Sequence, residues 1–85
     1  MIKAYPAIIH EEDGFWVEFP NLPGCSTCGS TLEETLKLAS EALSLYLVSL
    51  LEDGQLLPAA SALEDIDPSD GTCTYIATDI KQIDF

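Results

Sequence analysis

The stretch from Gly14 to Glu34, GFWVEFPNLPGCSTCGSTLEE, leaves the backbone few choices, because a short aromatic strand, a punctuated turn and a helix start follow one another with almost no slack. Phe15, Val17 and Phe19 alternate with Trp16 and Glu18, the period of a strand with one buried face. Pro20, Asn21, Pro23 and Gly24 end it. Ser30 or Thr31 can cap a helix while Glu33 or Glu34 reaches back to complete a capping box, and Leu32 begins an apolar repeat.

The rest of the chain falls into place around that segment. Ile2 to His10 reads as a first strand, with Ile2, Ala4, Pro6 and Ile8 on one side and Lys3, Tyr5, Ala7 and Ile9 on the other. Pro6 cannot donate a ladder bond, so it belongs at a bulge or with its nitrogen facing away from the neighbouring strand. The turn Glu11-Glu12-Asp13-Gly14 returns the chain antiparallel through Phe15 to Phe19. Cys25 to Cys28 makes a short third strand. A helix then runs from about Thr31 to Asp53 and ends at Gly54, a natural cap, with Pro58 beyond it.

On that helix Leu32, Thr35, Leu36, Ala39, Leu43, Tyr46, Leu47 and Leu50 fall within about 60 degrees of one line, a stripe fit to cover a sheet. Glu34, Lys37 and Glu41 mark the solvated side, where Glu33 is spaced to pair with Lys37. Leu38, Leu45 and Val48 lie off the stripe and form a second ridge, read either as scattered exposed apolar groups or as a subunit or partner contact. Residues 55–71 carry no sustained period and read as a loop with room for one short helical turn, the least ordered part of the chain. Thr72 to Ile80 alternates again and supplies the last strand. Three antiparallel strands, one long helix and a returning strand, β-β-β-α-β, make an α+β fold of one sheet and one main helix.

Eighty-five residues suffice for one small domain, expected over 1–85. No apolar run is long enough for a membrane span, and no secretion signal is visible, so a cytoplasmic protein is expected. Fifteen acidic residues against three lysines give a net charge of -12. Such a chain repels nucleic acid backbone and anionic membranes, and its charge serves either solubility or a basic partner.

Chemistry is poorly provided for. Cys25, Cys28 and Cys73 are odd in number in a chain without an export signal, so reduced, buried strand thiols are expected, with neither a metal nor a redox role. The strand Ile2 to Ile9 offers no carboxylate, while Glu18 and Asp79 could face the same way but make a weak magnesium pair. Asp65, Asp67 and Asp70 lack the spacing of a calcium loop and read as a solvated acidic stretch. His10 reads as a surface hairpin histidine. Trp16, out of phase with the core residues, would lie on the sheet face away from the helix, either covering strands or buried in an interface. No cofactor and no catalytic residue is expected.

Tyr5-Pro6-Ala7, Gly14 through Pro20, Leu22-Pro23-Gly24-Cys25, Gly29, Thr31-Leu32-Glu33-Glu34, Ala39, Glu41-Ala42-Leu43 and Leu51-Glu52-Asp53-Gly54 form an ordered set with near-fixed spacing over about two thirds of the chain. In that set the chain resembles the HicB family of antitoxins. It departs from the family at Ser30, where an acidic cap is usual, and at Cys28, where a small or polar residue is more common. The resemblance implies a truncated ribonuclease-H-like arrangement and a protein that neutralises HicA, a small basic ribonuclease that degrades messenger RNA. It also implies a further DNA-binding domain, helix-turn-helix or ribbon-helix-helix, which is not expected within these residues. On this reading Trp16, Glu18, Glu34, Leu38, Glu41, Leu45 and Val48 are the candidate partner contacts, and the chain is expected to form a homodimer without binding nucleic acid directly. The alternatives are a residual metal-dependent nuclease and a stand-alone dimerisation scaffold.

Overall fold

The computed structural model describes residues 1–80, and the last five positions of the expected 1–85 domain lie outside the described residues. The elements are β1 (Ile2–Glu11), β2 (Phe15–Glu18), β3 (Ser26–Gly29), α1 (Leu32–Glu52), a single 3-10 turn (Leu63–Asp65) and β4 (Thr72–Asp79). The four strands form one antiparallel sheet in the order β3-β2-β1-β4, so the strand that returns after the helix lands beside the first. The helix packs on one face of this sheet. Tyr5, Ala7, Val17 and Ile76 from the strands meet Ala39, Leu43 and Leu47 from the helix, with Phe19, Leu22 and Cys25 closing the core from the turn.

Local chemistry explains where the elements stop. The hairpin turns through Asp13 and Gly14, at φ 49° and 115°. Gly14 is doubly required, because a Cβ there would also meet the Gly29 carbonyl oxygen at 2.8 Å. Thr31 caps the helix, its hydroxyl accepting the Glu34 amide at 3.1 Å; among the described residues the return bond of a capping box is not formed, nor is a Glu33–Lys37 ion pair. At the other end Gly54, at φ 72°, donates to the Leu51 carbonyl and Gln55 donates to that of Leu50. Those two bonds are the reciprocal pair of a Schellman motif.

The ladder resolves the position of Pro6. The β1–β4 register runs unbroken from Ile2 opposite Asp79 to Ile9 opposite Thr72, so there is no bulge. Ile80 donates to the Met1 carbonyl at 2.7 Å, one step beyond the paired residues. Hydrogen-bonded pairs alternate in an antiparallel ladder, so odd-numbered residues of β1 bond to β4 and even-numbered ones face β2. Pro6 therefore turns its nitrogen away from β4, and β2 pairs only from Ile8 onward.

Several expectations need correction. The third strand begins at Ser26, and Cys25 is buried in the turn before it. Cys28 is exposed, because it stands opposite Trp16 on the face away from the helix and on an edge strand. Leu32 is exposed as well, since it lies in the first helical turn and the buried set begins at Thr35. Val48 was expected off the core but packs against it. The chain doubles back after Gly54, placing Leu57 on the core and the Pro58 carbonyl on the Tyr5 hydroxyl at 2.5 Å, so this segment closes part of the core.

The face away from the helix is also less open than its pattern implies. Pro6 and Ile8 point there and are both buried. Residues 55–71 act as a strap rather than a free loop. Asn21 holds Ser61 through two bonds, of 2.9 and 3.0 Å, and a Cβ on Gly71 would strike Ile8 Cγ2 at 2.6 Å.

Burial carries a pH consequence. It lifts the Tyr5 hydroxyl above its usual 10.0 and the Cys25 thiol above its usual 9.0. Both groups are neutral when protonated, so the folded state holds these protons more tightly than the unfolded chain. That contribution is complete below about pH 9 and is lost as pH rises past the unfolded values toward the raised folded ones. Urea unfolding midpoints are expected to hold level to about pH 9 and then fall, with Tyr5→Phe falling less steeply above about pH 10. Identical alkaline slopes for parent and variant would remove Tyr5 from this account.

Candidate functional site

The seven residues singled out from the sequence do not form one surface. Trp16 and Glu18 project from β2 on the face away from the helix, opposite His10 and Ile8 of β1. Glu34, Leu38, Glu41 and Leu45 follow one another at helical spacings of four, three and four along α1. The helix covers the other face of the sheet, so the two groups lie on opposite sides of the molecule. Glu34, Glu41 and Leu45 are exposed, Leu38 is half-buried, and Val48 is half-buried against the core cluster.

On the sheet side the structure builds a cluster that sequence reasoning missed. His10 stacks on Trp16, with ring centroids 3.9 Å apart and planes 12° from parallel. The His10 Nε2 lies 2.9 Å from a Glu18 carboxylate oxygen, and Nδ1 lies 3.5 Å from Asp70 at the end of the strap. Glu11 and Glu12 from the hairpin join His10, Trp16 and Asp70 around a cleft of about 180 Å³. His10 is thus a largely covered tie between hairpin, sheet and strap. The hairpin spacing held the signal: a three-residue loop of Glu12, Asp13 and Gly14 puts Glu11 opposite Phe15 and hence His10 opposite Trp16.

The carboxylates weighed as a metal pair do not converge. Glu18 stands opposite Ile8 and Asp79 opposite Ile2, which separates them by roughly 20 Å along β1. Asp79 instead meets the N-terminal ammonium at 3.1 Å. Asp67 accepts the Ser69 amide at 2.9 Å in a local turn, apart from Asp70. Among the described residues no three His, Cys, Asp or Glu side chains are placed to share a metal ion.

On the helix side a shallow groove of about 360 Å³ runs between Leu45, Tyr46 and Ser49 of α1 and the turn at Gly24 to Ser26. Tyr46 bridges it, donating its hydroxyl to the Pro23 carbonyl at 3.0 Å. Both sides therefore offer contact surface, the sheet side acidic and aromatic, the helix side apolar with carboxylates beside it.

By its architecture the chain is a small acidic α+β domain, one four-stranded antiparallel sheet covered on one face by a single long helix. Comparison with known proteins narrows the class. The model of the HicB-like antitoxins of bacterial toxin-antitoxin systems matches residues 5–84, and the chain belongs to that family. An uncharacterised 14.9 kDa protein of Haemophilus phage HP1 is 39% identical over 61 residues, covering 71% of this chain and 46% of that protein. The chain thus spans about half the length of that relative. Antitoxin HicB 1 of Photorhabdus laumondii is 38% identical over 56 residues, covering 64% of this chain and 36% of its own length. Among solved structures, the fold matches a toxin-antitoxin complex from Streptococcus pneumoniae with a TM-score of 0.84 at 21% identity, over 93% of this chain and 70% of that one. It also matches a chain of the HicA3 and HicB3 toxin-antitoxin complex with a TM-score of 0.71 at 27% identity, over 94% of this chain and all of that one.

Proposed function

We propose that this chain is the toxin-binding part of an antitoxin, which holds a small basic HicA-type ribonuclease away from messenger RNA by occluding its catalytic surface. Family membership supports the reading, and so does a net charge of -12, which lets the chain compete with RNA for a basic surface and speeds encounter. The observation that carries it is the cleft around Trp16. There an aromatic ring is flanked by Glu11, Glu12, Glu18 and Asp70, a setting suited to the guanidinium or ammonium groups of a basic protein. The helix stripe is the rival place, because Leu45 is 73% exposed beside Glu41.

The same reading makes the domain an inhibitor without its own catalysis or nucleic acid binding, and self-association accompanies it. We take the β-β-β-α-β order as a truncated ribonuclease-H-like arrangement in which the middle of the first strand lacks the carboxylate that metal-dependent cleavage needs, its one acidic residue, Glu11, standing at the hairpin end. No described helix is long and apolar enough to cross a membrane. Mixing the purified chain with its cognate HicA-type toxin at equimolar ratio should abolish RNA cleavage, and the complex should weaken as salt rises. Full ribonuclease activity in the presence of the chain would refute the antitoxin reading. Magnesium-dependent cleavage by the chain alone would point to the nuclease instead.

A further inference from the structure

His10 sits as an occupant in the cleft suited to a basic partner. Its ring lies flat on Trp16, centroids 3.9 Å apart and planes 12° from parallel, where a guanidinium would stack. Its Nε2 is 2.9 Å from a Glu18 carboxylate oxygen and its Nδ1 is 3.5 Å from one of Asp70, the two flanks between which a cationic side chain would be held. The His10 side chain is 13% exposed, while those of Glu18 and Asp70 are 40% and 93% exposed. Glu11 and Glu12 of the hairpin line the same cleft. Among the described residues no lysine forms an ion pair with any of these carboxylates, so His10 is the group that stands where a partner's cation would.

The charge of the ring therefore decides what the cleft offers. A neutral imidazole carries one N–H, so one of its nitrogens turns a lone pair toward a carboxylate and leaves that carboxylate to another donor. An imidazolium donates from both nitrogens, engages Glu18 and Asp70 together, and cancels one negative charge of the cleft. Histidine is the side chain that changes charge between about pH 5 and 8. On this face the nearest titratable groups from β3 and β4 are the thiols of Cys28, opposite Trp16, and Cys73, opposite Ile8, and neither is a cation that could take the place of the ring.

We infer that His10 is a proton gate on this cleft. Protonated, it fills the place of the cation and opposes a basic partner; neutral, it yields the carboxylates of Glu18 and Asp70 to a guanidinium or ammonium of that partner. The inference rests on the reading of the cleft as the partner-binding site and adds a regulation to it, an affinity that falls on acidification. By reciprocity, a bound partner drives the proton from His10.

A capped hexa-arginine peptide, followed by the fluorescence of Trp16, the one tryptophan of the chain, tests the gate on the full chain without a toxin. At low salt the peptide's affinity should fall roughly tenfold from about pH 7.5 to about pH 5.5, and His10→Phe, which keeps a ring on Trp16 but cannot take a proton, should cut that change to less than about twofold. His10 is also the one histidine, so its ring resonance in the parent is unambiguous and the test survives a variant that fails to fold. Saturating peptide should move the midpoint of that resonance's titration to lower pH. Equal pH dependence in parent and variant, an unmoved midpoint, or a peptide that binds at no pH overturns the gate. The cognate toxin, titrated in the same way, separates the two readings. Toxin affinity that follows pH identically in parent and His10→Phe overturns the gate and leaves the antitoxin reading standing, whereas a gated peptide with no toxin binding upholds the gate and refutes that reading.

Discussion

Leu43→Glu should abolish folding, while Leu45→Glu, two positions along the same helix, should leave the fold intact. Leu43 is fully buried at the centre of the helix stripe, and Leu45 is 73% exposed. Replacing Leu43 forfeits the burial of an isobutyl group, about 2–3 kcal/mol, and puts a carboxylate into the apolar cluster that includes Tyr5, Val17 and Ile76. The desolvation cost adds several kcal/mol, against a total stability of about 5–15 kcal/mol for a typical domain. A domain this small buries only about 60–65% of its unfolded surface and has little reserve. Circular dichroism melts of both variants provide the measurement. A cooperative transition for Leu43→Glu within about 1 kcal/mol of the parent would mean that the core has been misplaced.

The contrast between these two leucines also shows what was legible from the chain alone. Helical period separated Leu43 from Leu45 correctly, because the helix meets the sheet along one line and period reports distance from that line. It failed for Val48 and Leu32, each for a nonlocal reason. Val48 packs against the core cluster from outside the stripe, as does Leu57 of the segment that doubles back past Gly54, and Leu32 precedes the buried positions of the helix. Strand alternation placed Trp16 on the far face but treated that face as open, since nothing in residues 55–71 has a period that shows them crossing it. The tie is made by single contacts, Asn21 to Ser61 and Gly71 against Ile8, and such contacts leave no repeating mark. The candidate site was legible only in part. Its seven residues come from two elements, and the strand pattern already set Trp16 on the sheet face away from the helix, so they make two surfaces rather than one. His10 was read alone, although the hairpin register pairs it with Trp16.

Charge reversal at the sheet-side cleft should therefore separate the two surfaces. Trp16→Ala combined with Glu18→Lys is expected to weaken toxin binding at least a hundredfold, whereas Leu45→Glu should change it less than threefold. The magnitude follows from the parts. A central interface tryptophan typically contributes 2 kcal/mol or more, and a lysine in place of a carboxylate turns a favourable pairing with a basic surface into repulsion of about 1–3 kcal/mol. Each 1.4 kcal/mol is tenfold in affinity. Glu18 also bonds His10, and Trp16 supports the stack, so local stability will fall with these substitutions. Neither side chain belongs to the core cluster, so the fold should survive, and a melt run in parallel separates lost binding from lost structure. Titration calorimetry at low and high salt completes the test, because loss of charge pairing should flatten the salt dependence as well as weaken the complex. A double variant that binds and inhibits the toxin like the parent, with Leu45→Glu failing instead, would move the contact to the helix side.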